Sequence, residues 1–329
     1  MSPDVRTDRH PLTADGSVEL AVLDRNGFDE SRHVGAGVVV TADGRVLDAV
    51  GDATASIYPR STMKPFQALA IRRAGATFSD EELVLTTASH AGTAPHQALA
   101  LHMLESYDHV EADLGCPPDM PYDRATARTM TEPRRLAMNC SGKHAGMLAA
   151  CRVNGWDEPG YLDVEHPLQV LVRSTVEEYT HETVDVVGTD GCGAPVFPLT
   201  LAGLARGFAS VVARHDADTA ALTDAVLAHP WAIDGVGRAN TVTIQRLQVL
   251  AKFGAEGVMV MGIPGGAAVA VKTLDGSQRA GTLAALTLLQ RNGLVDADGV
   301  ADVMAATGEQ VLGGGVPVGA VRAGAGLLS

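Results

Sequence analysis

Aromatic residues make up only 4% of this 329-residue sequence, and it has just four cysteines. So few rings exclude stacking platforms for bases or sugars, and the core has to come from Ala, Val and Leu. The cysteines are Cys116, Cys140, Cys151 and Cys192. None form a C-x-x-C pair, and four are too few for a disulfide scaffold of this length. Positive charge is also short: 25 Lys and Arg face 39 Asp and Glu, a formal net charge of −14. A surface of that sign repels phosphate backbones, which argues against general nucleic-acid binding. No apolar run reaches the length of a membrane span. The nearest, 257–271, is split by Pro264-Gly265-Gly266. The opening residues Met1 to Arg6 carry no apolar stretch of the secretory kind. The expectation is a soluble, reduced, cytoplasmic protein without nucleic-acid or membrane partners.

What the sequence does have is 46% hydrophobic residues, 36 glycines and only 19% charged residues. That composition supports a sizeable core with many tight turns, and excludes a disordered or coiled-coil chain. Strand patterns lie near both ends. Residues 18–24 read as one strand, and 35–41 and 45–50 as a hairpin around Asp43-Gly44. Another hairpin is expected from 257–263 and 267–274 around Pro264-Gly265-Gly266, and a short strand at 184–187. The middle reads as helices at 61–74, 93–107, 143–153, 166–180, 198–214, 218–229 and 239–253, followed after the last hairpin by 281–292 and 298–307. The segment 115–133 is long and polar, a loop or lid. This predicts an α+β fold: one discontinuous unit with an α/β part from 17–60 and 255–329, and a mainly helical part over 61–254.

The most informative segment is Arg60-Ser61-Thr62-Met63-Lys64-Pro65-Phe66-Gln67. Positions i and i+3 share one helical face, so Ser61 Oγ and Lys64 Nζ can meet. A serine is a weak nucleophile until a base takes its proton, and a lysine of lowered pKa is such a base. Taken alone, the spacing is weak and fits a capping serine with a solvated lysine better. Behind it, Phe66, Leu69 and Ala70 form a core stripe that puts Lys64 beside buried surface. Three more segments carry polar groups on small-residue loops: 88–93 with Ser89 and His90, 138–146 with Asn139, Cys140, Lys143 and His144, and 188–195 with Asp190 and Cys192. Ser89 is a candidate second hydroxyl or proton relay. Cys140, Asp190 and Cys192 make a partial zinc set, with Lys143 or His144 as a fourth donor. His144 is alternatively a hydrogen-bond donor to a substrate carboxylate. Lys272, at the end of the last hairpin, can bind a carboxylate or tune a base. The cluster Leu312-Gly313-Gly314-Gly315-Val316-Pro317 matches no nucleotide-binding pattern. The remaining histidines, His96 among them, read as surface or packing residues.

Together, Arg60-Ser61-x-x-Lys64-Pro65-Phe66-Gln67, Ser89-His90-x-Gly92, Asn139-Cys140-Ser141-Gly142-Lys143-His144 and Asp190-Gly191-Cys192-Gly193 resemble the L-asparaginase II family of Rhizobium etli type. The resemblance runs from about residue 17 to 325 and leaves the first sixteen residues unmatched. It implies a fold similar to the serine β-lactamases and penicillin-binding proteins, hydrolysis of L-asparagine to L-aspartate and ammonia, and a homodimer. It implies Ser61 as nucleophile with Lys64 as its base, and Ser89 with Lys272 as a second Ser–Lys pair. It places zinc on Cys140, Lys143, Asp190 and Cys192. Arg60, Asn139, His144 and Asp190 are implied at the substrate. Three other readings are open: a self-processing amidase using Thr189, a β-lactam- or peptidoglycan-directed serine enzyme, and a non-catalytic zinc-stabilised amino-acid-binding protein.

Overall fold

The computed structural model describes residues 9–328, so the reading of Met1 to Arg6 lies outside the described residues. The chain starts with β1 (Val18–Arg25), β2 (Phe28–Thr41) and β3 (Val46–Val50). A short β4 (Ser56–Ile57) and a 3-10 turn over Arg60–Met63 lead into α1 (Lys64–Arg73). The helices α2 (Asp80–Thr87), α3 (Ala94–Glu105), α4 (Arg124–Ala127), α5 (Ser141–Asn154) and α6 (Pro167–Thr180) follow. Three two-residue strands, β5 (Gly188–Thr189), β6 (Pro195–Val196) and β7 (Leu199–Thr200), precede α7 (Leu201–Val212), α8 (Ala217–Ala228) and α9 (Ala239–Leu247). The chain then returns to strand as β8 (Leu250–Gly254), β9 (Val258–Ile263) and β10 (Ala267–Thr273). It closes with α10 (Gly281–Arg291), α11 (Ala297–Thr307), β11 (Gln310–Gly313), β12 (Val316–Ala323) and α12 (Ala325–Leu328).

The two chain ends build one antiparallel sheet in the order β11-β12-β1-β2-β10-β9-β8, with β3 added beside β2. The long β2 allows this branching: its first half pairs with β1 and its second half with β3. The strands are joined by tight turns whose paired residues have positive φ, at Asn26-Gly27, Glu256-Gly257 and Gly314-Gly315. Two left-handed residues in a row give the turn a twist that matches the flanking strands. Helix α7 covers one face of the sheet, against β2, β9 and β10, and α10 covers the other. One hydrophobic core fills these layers. A second lies among α3, α5 and the 114–116 and 192–194 segments, and holds all four cysteines.

The expected α+β arrangement, with a sheet assembled from both ends and helices between, is the one observed. Two local readings need correction. The helix expected over 239–253 ends at Leu247, and Leu250–Gly254 is the edge strand β8. The sheet part therefore begins at residue 250, not 255. Gln248, left-handed at φ 53°, stops the helix and turns the chain. The short strand expected at 184–187 forms two residues on, at Gly188–Thr189. The apolar run 83–87 is the end of α2, whose start is fixed by a reciprocal Ser79–Glu82 capping box. The glycines of 313–315 form the β11–β12 turn.

Candidate active site

Ser61 stands on the 3-10 turn just ahead of α1, with Pro65 in the first turn of that helix. Pro65 supplies no N–H, which costs nothing at a position where the helix has no acceptor for one. Arg60, immediately before Ser61, is left-handed at φ 52°. For an L-residue this costs roughly 1–2 kcal/mol, so something has to hold it there. Its Nε donates to Asp190 Oδ1 at 2.7 Å, tying the Ser61 turn to the 188–193 loop. The edge strand β8 presses on the same turn. A Cβ at Gly254 would come within 2.6 Å of Pro59 O and 3.3 Å of Ser61 N, so only glycine fits.

Lys64 is buried, with 1% of its surface exposed. Its Nζ donates to Ala88 O and, at 3.1 Å, to Ser89 Oγ. Among the described residues no hydrogen bond joins it to Ser61. A second buried lysine reaches the same hydroxyl: Lys252 Nζ lies 2.8 Å from Ser89 Oγ and donates also to Phe253 O at 2.7 Å. Burial, and then the charge of Lys64, holds Lys252 well below the ordinary lysine range. One hydroxyl is thus bracketed by two lysines, one of which the site favours as the neutral amine.

This corrects the assignment of Lys272. That residue lies on β10, separated from the edge strand β8 by β9. Two strand spacings amount to about 10 Å. Its Nζ is instead held by Glu256 O and Thr273 O, and burial lowers its pKa. The helix expected over 239–253 contains Lys252, and a helix would give it other neighbours. The signal available was a lone lysine in the apolar run Val249-Leu250-Ala251-Lys252-Phe253, ended by a glycine turn. A residue with no solvent exposure there has to point at something polar.

The strap 88–92 that carries Ser89 is fixed on both sides. Ser89 N donates to Ile233 O and His90 N to Asn139 O. His90 Nδ1 accepts from Gly92 N, so Nε2 carries the proton and donates to Ser141 Oγ at 2.9 Å. Burial, then His96 and Lys64, keeps His90 neutral. Ser141 opens α5 and so links this strap to the Cys140–His144 segment. Asn139 Nδ2 donates to Tyr122 Oη at 2.6 Å, and Asn139 Oδ1 accepts from Cys140 Sγ at 2.8 Å.

The expected metal set divides. Cys140 and Cys192 are neighbours, and Cys140 holds Cys192 far below a free thiol while Cys192 raises Cys140. Lys143 Nζ lies 2.9 Å from Cys192 Sγ. Burial pulls this ammonium down, but the two sulfurs outweigh it and the net shift is upward. Asp190 is turned away, engaged by Arg60 and by its own Gly191 N at 2.9 Å. Among the described residues no three His, Cys, Asp or Glu side chains are grouped to hold a metal ion. Two thiols and an amine in one buried cluster fit the donor chemistry of zinc; the Asp190 carboxylate is not gathered with them. His144 Nδ1 lies 2.6 Å from Tyr161 Oη, and Cys192 is also a neighbour of its ring. Burial, with Lys143 second, lowers His144 to about 4. Thr189 lies exposed on the short strand β5, paired with Pro195 and away from any base.

The family model for L-asparaginase II matches residues 21–323. The chain belongs to the L-asparaginase II family. As a member of that family it is an amidohydrolase. No curated protein matches it. Among solved structures, this L-asparaginase II member is similar to a β-lactamase from Mycobacterium bovis, with 16% identity, a TM-score of 0.43, and coverage of 78% of this chain and 94% of that one. A Bacillus glutaminase has 13% identity and a TM-score of 0.35, covering 79% and 91%. Mglu in its glutamate form has 13% identity and a TM-score of 0.36, covering 79% of this chain and 61% of that one. No helix among the described residues is long and apolar enough to cross a membrane.

Proposed function

We propose that this amidohydrolase cleaves the side-chain amide of L-asparagine to L-aspartate and ammonia, through an acyl-enzyme on Ser61. The observation that carries the reading is the shared hydroxyl: Ser89 Oγ lies 3.1 Å from Lys64 Nζ and 2.8 Å from Lys252 Nζ, all three residues are buried, and Lys64 follows Ser61 by three residues. Lys64 first passes a proton through the Ser89 hydroxyl to the neutral Lys252, and the neutral Lys64 so formed takes the Ser61 proton as Oγ attacks the amide carbon. The Ser89 hydroxyl relays between Lys64 and Lys252, and a neutral Lys252 keeps the relay able to accept. The same relay returns a proton to the departing amine. Water then attacks the Ser61 ester, and the sequence runs in reverse to free L-aspartate. Backbone N–H groups at the start of α1 favour the negative charge that builds on the tetrahedral oxygen.

Arg60 and Asp190 suit the two ends of the amino-acid group. Paired with each other at 2.7 Å, they are already charged and oriented, and the substrate's carboxylate and ammonium would share them. The resemblance adds Asn139 and His144 as further substrate contacts. Zinc would be held by Cys140, Cys192 and a deprotonated Lys143; when bound it would clamp the two loops together, and the proton steps need only protein groups. The resemblance supports a homodimer acting in the cytoplasm, which size-exclusion with light scattering and fractionation of the native cells would test.

The deciding experiment is ammonia release from L-asparagine and from L-glutamine by the whole protein and by Ser61→Ala. The reading requires L-asparagine turnover that Ser61→Ala loses by about 10⁴-fold or more. Equal turnover by the variant would dismiss Ser61 as nucleophile. Release from neither amide would leave the amino-acid-binding alternative.

A further inference from the structure

A cavity of about 450 Å³ opens beside the catalytic strap but contains none of Ser61, Lys64, Ser89 or Lys252. The back of the strap forms its floor through Ala91, whose N–H donates to Asp234 O and whose carbonyl accepts from Asp123 N. Its polar and aromatic lining is His96, Tyr122, Asp123, Arg124, Trp231 and Arg238. Both signs of charge are present. Arg238 uses Nε on the buried Asp234, and its two terminal nitrogens have no hydrogen-bond partner among the described residues. Arg124 is exposed at the mouth and makes no ion pair among the described residues. Asp123 is held ionised chiefly by hydrogen bonds from Thr126, with Arg238 adding to the effect. The walls between these charges are flat: the His96 ring stacks on His90 at 5.0 Å and meets Trp231 at 5.2 Å. His96 is buried and is lowered to about 4 by that burial, so at neutral pH it is an uncharged wall and not a third cation.

A carboxylate needs guanidinium donors, an ammonium needs a carboxylate, and an apolar side chain needs ring faces. The cavity presents these three together, and its volume is within the usual range for small-molecule sites. We propose that it is a second binding site, separate from the Ser61 cluster, for a free α-amino acid with an apolar or aromatic side chain. The carboxylate lies on Arg124 and Arg238, the ammonium on Asp123, and the side chain against Trp231 and His96. A bare anion would use the arginines and leave Asp123 opposed by nothing, so the zwitterion is the better match.

Trp231 is one of two tryptophans, and the other, Trp156, does not line the cavity. Binding is therefore read by tryptophan fluorescence, with titration calorimetry as an independent measure that needs no fluorophore. The protein is the full chain carrying Ser61→Ala, so turnover does not enter. A failed amidase reading and a failed second site are then separate results. The probe is L-phenylalanine, with phenylacetate lacking the ammonium and phenethylamine lacking the carboxylate. The expected result is saturable binding of L-phenylalanine, weakened about tenfold or more by Arg124→Ala and by Val236→Glu, and at least as much by loss of either charged group from the probe. Both substitutions are at exposed positions, where folding is little affected. The proposal is overturned by no saturable signal up to about 10 mM, by binding that both variants leave unchanged, or by phenylacetate binding as tightly as L-phenylalanine.

Discussion

Lys252 Nζ lies 2.8 Å from Ser89 Oγ, although 163 residues separate them in the chain. The edge strand β8 brings the lysine in; the strap between α2 and α3 brings the serine. Since Lys64 Nζ also donates to Ser89 Oγ, the two lysines are coupled through one hydroxyl.

Lys252→Met should keep the fold, because a fully buried ammonium is replaced by an apolar chain of similar length. The rate kcat should fall by about 10²–10⁴-fold, the usual worth of a proton-transfer group. Lys272→Met, two strands away, should change kcat by less than about threefold, within the small effect of a half-exposed substitution. Steady-state ammonia release from the two variants checks this, and equal losses would return the second lysine role to Lys272.

The pH profile follows from the sign of the Lys252 shift. Burial and Lys64 favour the neutral amine, so the reactive form is present above the lowered pKa and disappears as pH falls through it. The kcat/KM for the amide should therefore rise with pH on one ionisation lying below the ordinary lysine value, and Lys252→Met should remove that limb. Stability should move the same way. Between the lowered pKa and about 10.4 the unfolded chain binds more protons than the native one, so stability rises with pH across that window. Urea unfolding at several pH values would show it, and a slope of opposite sign would contradict the buried neutral amine.

Gly254→Ala should damage activity more than its size suggests. The new Cβ would meet Pro59 O at 2.6 Å and crowd Ser61 N, so the Ser61 turn or the end of β8 must shift. A stability loss of about 1–3 kcal/mol is expected, as for other overpacked positions. Denaturant midpoints measure it, and kcat should drop with KM less affected, since the proposed nucleophile is what moves.

Cys192→Ser should lower bound zinc, measured by elemental analysis of the purified protein, and lower the melting temperature of the metal-loaded form. Cys151→Ser, at a thiol outside the pair, should leave the metal content unchanged. Full metal retention by Cys192→Ser would show that the pair is not the zinc site, and Lys143 would then act only as the counter-charge of Cys192.

The candidate segments could be picked out because each is short and local. The Ser61-x-x-Lys64 spacing, the Pro65 helix start and the thiol pair Cys140 and Cys192 can be read one turn or one loop at a time. The α+β arrangement was legible too, because apolar alternation and turn dipeptides mark strands at both ends. Lys252 was not. In sequence, 239–253 continues a helical pattern, and only the left-handed Gln248 breaks it. No composition rule predicts that conformation at glutamine. The β11–β12 hairpin was hidden in the same way, its glycines resembling a loose cluster until Gly314 and Gly315 are seen to form a turn.

Local order therefore determined which groups this protein has to work with: a serine and a lysine three residues apart, two thiols, and a strap of small residues. Tertiary structure alone decided which of them meet. Pairing β8 beside β9 points Lys252 at Ser89 and leaves Lys272 two strands away, and Arg60 draws Asp190 from the thiols. The physical reason is that hydrogen bonds reach about 3 Å, while the partners they join here lie up to 163 residues apart.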